Sequence, residues 1–141
     1  MTSHRIVQPA QWPTPKGYVN GIAARGEWLA IAGQIGWNEK CEFVTDDFVA
    51  QFDQALANVV AVLTAAGGSA EHLIRMTVYV TDMDAYRSSG REIGRVWRTH
   101  LGKVFPAMAL VQVVSLVEPR AKIEIEATAI LPEPLATERT T

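Results

Sequence analysis

Three polar side chains lie inside apolar, strand-like patterns, where they could carry acid–base chemistry. Gln34 ends an apolar run between Gly33 and Ile35, and Glu124 and Glu126 alternate with apolar residues in the segment Lys-Ile-Glu-Ile-Glu-Ala. A carboxylate at a subunit interface can orient a water molecule or accept a proton. The same alternation is typical of the solvated face of an antiparallel strand. The pattern leaves open which glutamate faces a cleft and whether either one does.

Aromatic residues are the next candidates, because four tryptophans are many for 141 residues. Trp28 and Trp97 lie in periodic apolar patterns and are predicted to belong to the core. Trp37 follows Gly-Gln-Ile-Gly in a loop. It could form a pocket wall or simply pack the loop.

Several motifs for phosphate binding, metal binding and nucleophilic catalysis are not found in the sequence. The sequence has no GxxxxGK[ST] phosphate loop and no GxGxxG segment after a strand. His4, His72 and His100 are scattered, so no metal site is predicted, and no Ser-His-Asp arrangement can be argued from spacing. The single cysteine, Cys41, lies in a polar loop and is interpreted as a bystander thiol.

Composition indicates one soluble globular domain. Hydrophobic residues make up 48% and charged residues 20%, which is typical of such domains. Thirteen Lys and Arg against fifteen Asp and Glu give a net charge of -2, which disfavours a nucleic-acid partner. A single cysteine fits a reducing compartment, and neither a signal peptide nor a bilayer-spanning stretch is recognised. We therefore expect a cytoplasmic protein with no membrane partner.

Strands are predicted where apolar residues alternate or form short β-rich runs. Residues 17–34 are expected to form two short strands around a turn at 25–27. The second of these is almost wholly apolar, which predicts cover on both faces. Three more strands are predicted over 73–81, 107–114 and 122–131.

Two helices are predicted from apolar residues that recur every three or four positions. The first covers 47–66, with an aspartate to cap its start and Gly67-Gly68 to end it. The second covers 84–101, and Gly90 and Gly94 weaken it.

These elements predict a two-layer α+β domain, with a mixed sheet and two helices on one face. A single domain is expected over 1–141, with a core at about 5–131 and a tail at 132–141 that frays. The other sheet face should also need a cover, as an oligomer interface that holds a pocket would provide. Its predicted residues are apolar Met108, Leu110 and Val114 and polar Arg75, Thr77 and Tyr79.

Several sequence blocks, in order and covering roughly 5–131, resemble the RidA/YjgF family, also described as L-PSP endoribonuclease-like. The resemblance implies a chorismate-mutase-like fold that forms a homotrimer, with an inner β-barrel and clefts between neighbouring subunits. The blocks are Tyr18-Val-Asn-Gly, Ala32-Gly-Gln-Ile-Gly, the helix from Gln51 to Gly67, Thr77-Val-Tyr-Val-Thr-Asp-Met, Phe105-Pro-Ala and Lys122-Ile-Glu-Ile-Glu-Ala.

The resemblance also implies an activity. The best-known members hydrolyse reactive enamines and imines, which pyridoxal-phosphate enzymes produce, to 2-oxo acids and ammonia. Water adds to the C=N carbon and ammonia leaves. The resemblance implies a small-molecule substrate and no cofactor.

Carried over position by position, the family's site is only partly present. Its pocket tyrosine corresponds to Tyr18 and its interface glutamate to Glu124. The family's Ser-Gly-Gln block reads Ala32-Gly33-Gln34, so the serine is lost. The arginine that grips the substrate carboxylate in deaminating members is replaced by Met108.

Two further polar positions have become apolar or small. The family's common cysteine corresponds to Leu110, and the asparagine of its second helix aligns near Gly90. A bidentate Arg–carboxylate pair is worth about 1.5–3 kcal/mol, so a small 2-imino acid should bind poorly here. Arg75 or Arg120 could compensate, although a surface salt bridge is the alternative role for each.

Two functions remain open from these residues. In the first, Tyr18 positions an imine or enamine, Glu124 orients water or moves a proton, and Met108, Leu110 and Trp37 form a wall for a bulkier or less charged ligand. In the second, a non-catalytic trimer binds a small metabolite in its clefts. A ribonuclease is disfavoured by the acidic charge and the lack of a basic aromatic stripe.

Overall fold

The structure is a computed structural model that describes residues 4–133. Most of the tail predicted at 132–141 therefore lies outside the described residues. The helices are α1 Phe48–Ala65, α2 Met83–Ser88 and α3 Gly90–Leu101, with a short 3-10 turn at Ala70–His72. The strands are β1 Arg5–Val7, β2 Gly21–Ala23, β3 Glu27–Ile35, β4 Leu73–Val80, β5 Ala107–Gln112 and β6 Ile123–Leu131.

A four-stranded mixed sheet in the order β3-β6-β4-β5 forms one layer. Strands β4 and β5 are parallel and the other neighbours are antiparallel. This architecture confirms the predicted α+β class with a mixed sheet. The two strands predicted around the turn at 25–27 are present, but β2 pairs with β1 in a separate two-stranded sheet and not with β3.

Helix α1 forms much of the core, as its apolar stripe predicted. The Asp47 side chain accepts a hydrogen bond from the N–H of Ala50 at 2.9 Å and caps the helix. Gly67 follows the helix with φ of 82°, a left-handed conformation that glycine adopts at little cost. By length and composition alone α1 could span a bilayer, but it packs on the sheet as a core helix.

The second predicted helix is in fact two helices. Asp82 caps α2 by accepting a hydrogen bond from the N–H of Ala85 at 3.0 Å. The helical conformation is interrupted at Ser89, and α3 begins at the next residue. Glycine at position 90 favours this break, because it is a weak helix former. The buried stripe of α3 consists of Ile93, Trp97 and Leu101.

The helices cover one face of the sheet and leave the other face uncovered in the single chain. Two predictions about these faces were wrong. Met108 and Leu110 lie beside Met76 and Val78, which are fully buried, so they belong to the helix-covered side. Trp28 is 75% exposed on the uncovered face and is not a core residue of one chain.

Candidate functional site

A β-bulge in β3 opens the ladder beside β6. Ile31 pairs with Ala127 and Gln34 pairs with Ile125, so β3 has one more residue than β6 over this stretch. The extra residue falls at Ala32-Gly33. Bulges leave backbone groups outside the ladder and are common beside active sites.

The Glu124 side chain lies directly over this bulge. A Cβ atom at Gly33 would be 2.7 Å from both Cδ and Oε1 of Glu124, so only glycine leaves room for the carboxylate in this position. Glu124 is half-buried and lies between Ile35 of β3 and Tyr79 of β4 in the strand register. A proton acceptor is thus placed beside backbone groups that the bulge leaves outside the ladder.

The Gln34 amide stabilises the same bulge. Its Nε2 donates a hydrogen bond to the carbonyl of Ala32 at 3.0 Å. This contact ties the Gln34 side chain to the backbone of the bulge. In one chain, therefore, Gln34 holds the backbone that supports Glu124.

The second glutamate of this strand has a different partner. The Tyr79 hydroxyl donates to Oε1 of Glu126 at 2.8 Å. This hydrogen bond, with smaller contributions from burial and from the charges of Glu126 and Glu124, raises the pKa of Tyr79 above its ordinary value. Both glutamates lie on the uncovered face, since they alternate with buried Ile123 and Ile125, but only Glu124 lies against the bulge.

A second group of predicted site residues lies at the edge strand β5, in two adjoining clefts. The first, here called the apolar cleft, has a volume of about 210 Å³ between α3 and β5. The described residues that line it include no charged side chain. Among them are Gly90, Gly94, Trp97, Phe105, Met108 and Leu110.

The second cleft, here called the open cleft, has a volume of about 720 Å³ on the other side of Met108. Tyr18 lies here and is 51% exposed. Met108 lines both clefts, so a ligand beside Tyr18 could extend an apolar group past Met108. Other residues of the open cleft are Asn20, Trp28, Arg75 and Ala107.

These two groups of residues lie apart within a single chain. Glu124 lies on the uncovered face of β6 near β3, whereas Met108 lies on the helix-covered side of β5. Strand β6 is separated from β5 by β4, so the backbones that carry Glu124 and Met108 lie two strand spacings or about 10 Å apart. Neither the apolar cleft nor the open cleft is lined by Glu124.

Two other predicted residues lie away from both groups. Trp37 packs against Phe43, with ring centroids 5.9 Å apart, and its carbonyl accepts from Asn58 at 2.8 Å. Arg120 is paired with Asp46 at 3.0 Å and lies over the Phe43 ring. In the single chain, Trp37 packs a loop and Arg120 forms a surface ion pair.

The structure also shows cleft residues that sequence reasoning missed. Tyr86 and Gly94 line the apolar cleft, and Trp97 stacks on Phe105 at 6.2 Å with an interplanar angle of 9°. A glycine at 94, one turn after Gly90, was a possible signal for a groove on this face of the helix. Within residues 4–133, no group of three or more His, Cys, Asp or Glu side chains is arranged to hold a metal ion.

The fold and the two groups of site residues define a small α+β protein with two adjoining clefts beside the edge strand β5 of a mixed sheet. The family described as Endoribonuclease L-PSP matches residues 10–131. The chain therefore belongs to this family, the RidA/YjgF family whose blocks the sequence shows.

Individual relatives agree with this assignment. A RutC family protein of Pyrococcus horikoshii is 36% identical over 118 residues, which cover 83% of this chain and 90% of the relative. The 2-iminobutanoate/2-iminopropanoate deaminase of Escherichia coli is 34% identical over 113 residues, covering 80% and 86%. The crystal structure of YyfB, a Rid family protein of unknown function from Yersinia pestis, has a TM-score of 0.80 at 31% identity and covers 91% and 98%.

Proposed function

We propose that this protein is a cytoplasmic, homotrimeric hydrolase that deaminates reactive imines or enamines carrying a large apolar substituent. The apolar cleft is the observation that carries the proposal, because it adjoins the open cleft of Tyr18 at Met108 and is large enough for a branched or aromatic group. The similarity to an Escherichia coli deaminase of 2-iminobutanoate and 2-iminopropanoate supports the reaction class.

The proposed site combines residues from two copies of the chain. Tyr18, Met108, Leu110 and Gly90 of one copy hold the ligand, and Glu124 of its neighbour supplies the carboxylate. Within one chain Glu124 lines neither cleft and lies on the opposite face of the sheet from Met108, which supports this arrangement. Trimers with such clefts are also what the family resemblance implies.

In the proposed reaction, water forms a C–O bond to the imine carbon as the C=N π bond breaks, and Glu124 carries one proton of that water to the nitrogen. The hydroxyl proton of the resulting carbinolamine then passes to the nitrogen by way of Glu124 as the C–N bond breaks, so that ammonia leaves and a 2-oxo product remains. Burial of the apolar substituent past Met108 holds the C=N carbon near the water. The reaction consumes one water molecule and no electrons.

The two glutamates of β6 provide a matched test. Imines can be generated by an amino-acid oxidase, and their loss followed as competition with trapping by semicarbazide. Glu124→Gln should lower the protein-dependent rate by about 10²-fold or more, the typical contribution of a general base. Glu126→Gln, whose amide oxygen can still accept from Tyr79, should retain most of the rate. Equal rates for the two variants would contradict the role given to Glu124.

A non-catalytic binding trimer is the second candidate. Met108 in place of the family's arginine favours it, because the methionine offers no hydrogen bond to a substrate carboxylate. This function would be supported if the intact trimer bound apolar 2-oxo acids and left imine decay unchanged.

A further inference from the structure

We propose that Arg75 takes over the substrate carboxylate, and that the substrates are accordingly 2-imino acids with large apolar side chains. This inference rests on the proposed function, because it assigns the charged end of the same ligand. The family position for this contact holds Met108. The structure places another guanidinium in the cleft that Met108 shares.

Arg75 lies close to the residues that would hold the ligand. It is on β4, where the register pairs it with Ala107 of β5 and Thr128 of β6. Ala107 immediately precedes Met108, and Arg75, Met108 and Tyr18 all line the open cleft. A cation is therefore present on one side of Met108, while the apolar cleft lies on the other.

In the single chain, the side-chain donors of Arg75 are available for a ligand. It is exposed, and within residues 4–133 it forms no ion pair and no side-chain hydrogen bond. The nearest competitor along the uncovered face is Glu126, which lies opposite Thr77 and accepts from Tyr79. A guanidinium offers five N–H donors in a fork that matches a carboxylate.

Arg120, the other arginine that could compensate, is already engaged. Its Nε and Nη2 both lie 3.0 Å from Oδ1 of Asp46, and its Nη1 donates to the carbonyl of Phe43 at 3.2 Å. Binding a substrate carboxylate there would require these contacts to break. Arg75 needs no such exchange.

The contact also explains how one site could take an anionic ligand without the family's arginine. A 2-imino acid would place its carboxylate on Arg75, its C=N carbon near Tyr18, and its side chain past Met108 into the apolar cleft. A short side chain would leave that cleft unfilled. The substrate class is therefore a 2-imino acid with a branched or aromatic side chain.

Calorimetric titration with phenylpyruvate and with its neutral primary amide tests the contact without requiring turnover. The unaltered trimer should bind the carboxylate about 10- to 100-fold more tightly than the amide, the range expected for a bidentate charged pair. Arg75→Met should reduce this ratio to near one, and Arg75→Lys should restore part of it. Arg95→Met, which removes an exposed arginine that lines neither cleft, should leave the ratio unchanged.

A double variant that moves the arginine from position 75 to position 108 tests the contact further. Met108→Arg in the Arg75→Met background should recover the preference for the carboxylate. An unchanged ratio in Arg75→Met would overturn the inference, as would equal weakening of acid and amide, which is the signature of a structural role. If the unaltered protein turned over imines but Arg75→Met left the acid-to-amide affinity ratio unchanged, the proposed function would stand and the inference would be removed. If Arg75→Met reduced the acid-to-amide affinity ratio to near one but the unaltered protein showed no imine turnover, the inference would stand and the proposed function would be removed.

Discussion

At the residue scale, Glu124 and Glu126 share one face of β6 but have different neighbours. Glu124 lies on the bulge at Gly33, and Glu126 accepts from Tyr79. The alternating sequence predicted that both carboxylates share a face. It could not distinguish them, because their neighbours come from β3 and β4, which are distant in sequence.

Replacing Gly33 by alanine should disturb Glu124 specifically. The new Cβ would lie 2.7 Å from the carboxylate carbon, and the flexible side chain would swing away while the fold is retained. Imine turnover should fall about tenfold or more, since small misplacements of a reacting group are costly. In a Glu124→Gln background the same change should have little further effect. An equal loss in both backgrounds would show that Gly33 acts by another route.

Tyr79→Phe should change the alkaline titration of the protein. The raised pKa of Tyr79 means that the folded state holds its proton more tightly than the unfolded state, whose tyrosines titrate near 10. This contribution to stability is fully present below pH 10 and is lost as the pH rises through the folded pKa. Absorbance at 295 nm should show that one of the three tyrosines ionises late, and that Tyr79→Phe lacks this step. An identical titration apart from amplitude would contradict the assignment.

At the element scale, Gly90 and Gly94 lower the stability of α3 but leave room for the apolar cleft. Gly94→Ala should raise the free energy of unfolding by about 0.5–1 kcal/mol, because the added Cβ meets only the end of the Arg98 side chain at 3.4 Å. The methyl group would also narrow the apolar cleft, so binding of phenylpyruvate should weaken. Thr99→Ala, an exposed change on the same helix, serves as the control. A gain in stability with unchanged affinity would show that the ligand does not reach Gly94.

Local periodicity predicted most elements, and the errors have physical causes. Helix α1 was predicted well because a single apolar stripe fixes both its type and its buried face. The sides of β5 could not be predicted, because its residues are apolar at nearly every position and only pairing with β4 decides which of them face the helices. The bulge at Ala32-Gly33 likewise arises from pairing with β6, which leaves no mark in local periodicity.

At the scale of the whole molecule, the proposed site depends on assembly. If each cleft takes Glu124 from one copy and Tyr18 from the next, Glu124→Gln and Tyr18→Ala trimers should each be nearly inactive. In equimolar mixed trimers, each of the two contributions is intact with probability one half, so about a quarter of the clefts should be complete. Imine turnover should therefore recover to about a quarter of the unaltered rate. No recovery after verified subunit exchange would place both residues in the same copy or outside the site.

The uncovered sheet face is consistent with this assembly. It presents the exposed Trp28 side chain beside polar Arg75, Thr77 and Glu126, and tryptophan and arginine are enriched at protein interfaces. Sequence reasoning predicted that this face needs a cover. It misassigned Met108 and Leu110 to it, because the parallel register of β5 on β4 is a property of the folded chain.

The most direct test of the proposed function compares two imines on the unaltered protein. The semicarbazide competition assay should be run with freshly generated 2-iminopropanoate and with the imine of phenylalanine. We predict that the protein accelerates loss of both, with kcat/KM at least about tenfold higher for the aromatic imine, because only its side chain fills the apolar cleft. A preference for the short imine would contradict the assigned substrate class, and no acceleration of either would contradict the proposed reaction.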